Sequence, residues 1–114
     1  MTSSEAPSRY DCFGLSPSIS LEALAAEIGS VLKVTLSARD SSYYGGTYSL
    51  YKRRGGGQIK LYANRNEFQG VWIRSDCADY AVLIEVSELD EMDGVHERLT
   101  RALPGLVRLS SRII

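Results

Sequence analysis

Apolar residues recur at Leu21, Leu24, Ala25 and Ile28, a spacing that lays one stripe along a helix of about ten residues. Pro17, Ser18 and Ser20 supply the start chemistry, and Gly29 offers a left-handed stop. The period then shortens to two. Leu32, Val34 and Leu36 alternate with Lys33, Thr35 and Ser37, which predicts a strand with one dry face. After a polar stretch containing Gly45 and Gly46, a second strand is predicted over residues 47–53. Arg54-Gly55-Gly56-Gly57 then turns the chain, and residues 58–64 alternate through Ile59, Leu61 and Ala63, completing a hairpin.

Residues 64–79 carry no clear period, with Val71-Trp72-Ile73 readable as a short edge strand or an apolar plug. Residues 80–86 are nearly continuous in apolar side chains, the signature of a strand covered on both faces. A second helix follows. Asp90, Glu91 and Asp93 crowd its start and Arg98 and Arg101 its end, both favourable to the helix dipole. Met92, Val95, Leu99 and Leu103 form its inward stripe, Pro104-Gly105 stops it, and a last strand runs from Leu106.

The predicted order is α-β-β-β-(β)-β-α-β. The expected fold class is α+β: a single, mostly antiparallel sheet of about five strands with two helices packed on one face. Residues 1–9 read as a flexible tail and residues 10–114 as one domain. At 114 residues the chain can bury a core without metals or disulfides. Cys12 and Cys77 lie far apart in sequence and read as small buried hydrophobes. The polar start is unlike a signal peptide and no apolar run reaches membrane-spanning length, so no membrane association and a cytoplasmic location are expected.

Charge changes this picture of an ordinary small domain. Residues 39–74 hold seven basic side chains against Asp40 and Glu67, a balance of +5. Residues 75–97 hold eight acids and no Lys or Arg, a balance of −8, which the whole-chain sum of −1 hides. Such blocks can steer a charged partner. Asp76, Asp79, Glu88, Asp90, Glu91 and Asp93 are therefore candidate partner-binding residues, with Trp72, Phe68 and Tyr80 as flanking aromatic anchors. No catalytic constellation accompanies them. His96 is the one histidine and has Asp93 as its single acidic neighbour at helical spacing, which is no zinc set. The glycines of 55–57 precede a β-pattern and lack the Lys-Ser/Thr of a phosphate loop. Tyrosines interleaved with Lys and Arg on the hairpin can stack bases, yet the nearby acids would repel nucleic acid. The expectation is a binding protein with no enzymatic activity, cofactor, metal or nucleic-acid partner.

The run Arg39-Asp40-Ser41-Ser42-Tyr43-Tyr44-Gly45-Gly46-Thr47-Tyr48 resembles a segment of small bacterial immunity proteins of polymorphic toxin systems, of the contact-dependent inhibition and rearrangement-hotspot kind. Asn64-Arg65-Asn66, Tyr80-Ala81-Val82-Leu83-Ile84, the acidic-start helix and the closing strand follow in the same order. The resemblance covers residues 39–114 and marks Asp40, Tyr43, Gly45 and Gly46 as its motif positions. It implies a protein that occludes a cognate toxin domain without chemistry of its own. Locally, Asp40 is suited to bond backbone amides in a turn, and Gly45-Gly46 to positive φ at a strand entrance. The alternative is a self-associating module, a homodimer in which the basic hairpin of one copy meets the acidic helix start of another.

Overall fold

The computed structural model describes residues 9–41, 46–66 and 71–113. Its elements are β1 (Arg9–Leu15), α1 (Leu21–Leu32), β2 (Ser37–Ser41), β3 (Gly46–Lys52), β4 (Gln58–Ala63), β5 (Arg65–Asn66), β6 (Val71–Trp72), β7 (Val82–Ser87), α2 (Met92–Ala102) and β8 (Val107–Ile113). The fold is α+β. One open antiparallel sheet of six strands runs in the order β2-β3-β4-β7-β1-β8, and β5 and β6 pair as a separate ribbon. β1 lies between β7 and β8, so β7, α2 and β8 form a split β-α-β unit around it. Among the described residues, no helix is long and apolar enough to cross a membrane.

Both helices cover one face. Phe13, Leu15, Ile59, Leu61, Ile84 and Val86 of the sheet meet Leu24 and Ile28 of α1 and Val95 and Leu99 of α2 in one core. The helix residues and Ile59 and Leu61 lie on stripes the periodicity marks, whereas Phe13 and Leu15 do not. A smaller cluster on the opposite face packs Tyr62 and Leu83 against Cys77, Ile73 and Tyr80, so the segment after β5 roofs one end of that face.

Three expectations are corrected. Arg9, expected in the tail, belongs to β1, an unpredicted strand, and the sheet has six strands where about five were expected. The strand expected over residues 32–37 is displaced: α1 continues to Leu32, residues 34–36 are a loop, and β2 starts at Ser37. Gly29 is not the helix stop. Lys33 takes the left-handed cap at φ 59°, while a side chain on Gly29 would come within 2.6 Å of the Val34 carbonyl. The absent Cβ lets the exit loop fold back on the helix. Ser20 caps the other end, its hydroxyl accepting from the Ala23 amide at 3.0 Å.

Candidate functional site

The structure divides the candidate acids between two ends of β7. Asp76, Asp79 and Tyr80 precede that strand, and Glu88, Asp90, Glu91 and Asp93 follow it. Six residues of strand separate the groups, about 20 Å. Four of the acids face arginines: Arg74 with Asp76 at 3.0 Å, Arg53 with Asp90 at 3.0 Å, Arg9 with Asp93 at 2.7 Å, and Arg98 with Glu91 at 3.9 Å. The −8 block is thus largely matched within the same molecule.

At the helix-start end the pairing has a structural purpose. Glu88 and Glu91 both adopt left-handed backbone, at φ 56° and 53°, where the chain turns from β7 into α2. The Glu88 amide donates to the Arg9 carbonyl, and Arg53 donates to the Glu88 carbonyl at 2.8 Å. Gly57 sits against that carbonyl at φ 95°, and a Cβ there would lie 2.7 Å from it. The glycine turn between β3 and β4 is therefore docked on the acidic turn. Arg9 spans the same end, donating twice to the buried Asp11 and once to Asp93, while Ser111 donates to Asp11 at 2.6 Å. These hydrogen bonds, first to Asp11 and then to Asp93, hold Arg9 more firmly protonated than usual. The same contact keeps the Asp93 carboxyl below its ordinary range.

At the other end, Asn64 pins the roofing segment. It is fully buried, its amide donates to the carbonyls of Arg74, Cys77 and Tyr80, and its oxygen accepts from the Arg74 amide at 2.7 Å. Arg74 reaches Asp76, which holds that carboxyl down, and its Nη1 lies 3.6 Å from the Cys12 Sγ. Cys12 and Cys77, distant in sequence, so come under one guanidinium. Burial nevertheless pushes the Cys12 thiol up to about 11, and desolvation raises Cys77. Tyr80 lays its ring over Gly14. Trp72 lies in β6 opposite Arg65.

Of the motif positions, Tyr43 and Gly45 lie outside the described residues, as does the anchor Phe68. Gly46 opens β3 at φ 138°. Asp40 stands on β2 and accepts from the Thr47 hydroxyl across the ladder at 3.1 Å, in place of the backbone amides expected of it. His96 is half-buried on α2, its ring 5.5 Å from that of Phe13 and its Nδ1 3.3 Å from Arg108. Tyr62 donates to Glu85, the cross-strand neighbour of Lys60. Among the described residues, no group of three or more His, Cys, Asp or Glu is placed to hold a metal.

A feature the periodicity did not reveal lies beside the motif. α1 packs on α2 and over β4, so the helix side of β2 and β3 opens as a groove of about 1070 Å³. Ala38, Thr47 and Ser49 floor it, and Leu21, Ala25 and Gly29 of α1 wall it. Ser49 pairs across the ladder with Leu61, a core residue, which turns its side chain to the helix side. Ser49 is buried at 7% exposure, and its hydroxyl has no hydrogen-bond partner among the described residues. Sequence alternation gives no clear signal for the groove, because it sets Ser49 opposite Tyr48 and Leu50, the more apolar side of the strand.

No protein-family model matches the chain, and a comparison with curated proteins finds none similar to it.

Proposed function

We propose that this chain is a non-catalytic, immunity-type protein that binds a cognate bacterial toxin domain and neutralises it by occupying its surface. One observation carries the reading. The run resembling immunity proteins contributes residues 39–41 to β2 and residues 46–48 to β3, and its Thr47 lies on the floor of the open groove between Ala38 and Ser49. A concave, mostly apolar surface with a few polar groups is what a docking partner needs. None of the acids named from sequence lines the groove, though Asp90 and Asp93 remain 90% and 89% exposed beside their arginines. Co-expression with the toxin domain encoded beside this gene should restore growth and yield a stable complex on purification. Neither rescue nor co-purification with any neighbouring product would refute the reading.

Self-association is the second reading, and β8 favours it. That strand lies at the sheet edge, with Val107 and Ile113 exposed, and an edge of seven residues is a template for pairing. The basic-hairpin-to-acidic-helix contact is made within one molecule, by Arg53 and Asp90, so an edge-paired dimer would not depend on salt through that contact. Light scattering at low and high salt decides: a concentration-dependent dimer supports this reading, a monomer excludes it.

A further inference from the structure

We propose that the groove beside α1 receives one amphipathic α-helix of the partner, about three turns long and antiparallel to α1. This rests on the toxin-binding reading and names the element of the partner that is bound. The width of the site argues for a helix. Two strands at about 4.8 Å spacing span about 10 Å, the diameter of one helix with its side chains. The length agrees, because α1, which walls the groove along its whole course, has 12 residues, or about 18 Å.

The lining argues for close approach. Ala25, Ala26 and Gly29 on α1 face Ala38, Thr47 and Ser49 on the strands, so small side chains meet the visiting backbone there, alongside Leu21, Val34 and Leu36. Packed helices approach to about 8–10 Å only when the contact residues allow it. The buried Ser49 hydroxyl awaits a polar group, and a partner Ser, Thr, Asn or Gln facing the sheet would satisfy it.

Charge fixes the direction. Glu22 lines the groove at the start of α1 and Lys33 at its end, and neither makes an ion pair among the described residues. Helices favour acids in their first turn and bases in their last. A helix antiparallel to α1 brings its acidic start to Lys33 and its basic end to Glu22. A parallel one reverses both contacts.

The test uses the full chain. Ala38 and Ala26 are exposed and line the groove from the strand floor and the helix wall, so arginine at either position blocks it without entering the core. Ala38→Arg and, independently, Ala26→Arg are expected to weaken binding of the co-encoded toxin domain by about 100-fold, the scale of truncating an interface anchor, with the thermal midpoint unchanged. Arg112→Ala, on the far edge strand, leaves binding intact. Wild-type affinity in both groove variants overturns the helix site while toxin binding itself stands. If no toxin binds, that reading falls alone, and the groove is judged with a synthetic peptide of about 12 residues. The peptide carries Asp and Glu in its first turn, an alanine-leucine stripe, and Arg in its last turn. Amide shifts confined to Ser30, Lys33, Ala38, Thr47 and Ser49, with the peptide becoming helical, support the site. No shifts, or shifts along β2 with an extended peptide, overturn it.

Discussion

The Arg53 guanidinium stands 3.0 Å from the Asp90 carboxylate, tying the turn after β3 to the turn before α2. The same side chain donates to the carbonyls of Gly56 and Glu88, both at 2.8 Å. The basic and acidic blocks of the sequence thus meet here in an internal clasp, built across a turn that carries two left-handed glutamates.

The clasp holds by its backbone contacts more than by its charge. Exposed ion pairs add little, because water screens them and the side chains lose freedom. Arg53→Ala should therefore cost about 1–2 kcal/mol, the worth of its hydrogen bonds to carbonyls. Asp90→Asn should leave the urea midpoint unchanged, as should raising the salt. An equal loss in the two variants would show that the ion pair is the main contribution.

Asn64 offers a sharper case. Its four hydrogen bonds to backbone groups of residues 74–80 are what fastens the roof to the sheet. Asn64→Ala strands those buried groups and opens a small void, an expected loss of about 2–4 kcal/mol. Asn64→Asp is expected to be worse near neutral pH, since a carboxylate would then face three carbonyl oxygens. Urea denaturation of both variants checks this, and a loss below about 1 kcal/mol in the alanine variant would contradict it.

Local signals explain what was legible. α2 was readable because its stripe, charge order and Pro104-Gly105 stop all lie within one stretch, and the β3–β4 hairpin because its strands adjoin their glycine turn. β1 was not. Its two neighbours in the sheet pair with it across 67 or more positions, and the buried Asp11 on its core face breaks the alternation, its burial made tolerable by Arg9 and Ser111. Leu32, Val34 and Leu36 imitate a strand because all three touch the core, from a helix end and a loop. Candidate-site legibility follows the same division. The charge blocks are plain in sequence, but which arginine meets which acid depends on the register of strands far apart in the chain. The groove depends on how far α1 reaches across the sheet, a quantity no periodicity carries.

The contact of Tyr80 with Gly14 should be visible as non-additivity. A Cβ at residue 14 would lie 2.5 Å from the Tyr80 ring, so Gly14→Ala must push that ring aside at an expected cost of about 1–3 kcal/mol. In a chain already carrying Tyr80→Ala the same change meets no ring, and its cost should fall below about 1 kcal/mol. Equal costs in the two backgrounds would place the strain elsewhere.

Burial of Cys12 sets an alkaline limit on stability. Its thiol titrates at about 11 in the fold, against about 8.5 in an unfolded chain. Between those values the unfolded chain has released a proton that the folded one keeps, so stability present below about pH 8.5 declines as pH rises toward 11. The slope from this one group is at most about 1.4 kcal/mol per pH unit. Subtracting the pH profile of Cys12→Ala from that of the wild type isolates it, because both chains share Cys77 and the tyrosines. The difference should be flat from pH 6 to about 8 and then fall. A difference that stays flat to pH 10 would mean that the folded thiol ionises as readily as a free one. Native protein at pH 8 should also leave Cys12 unmodified by a thiol reagent that labels it at once in urea, since the thiolate is the reacting form.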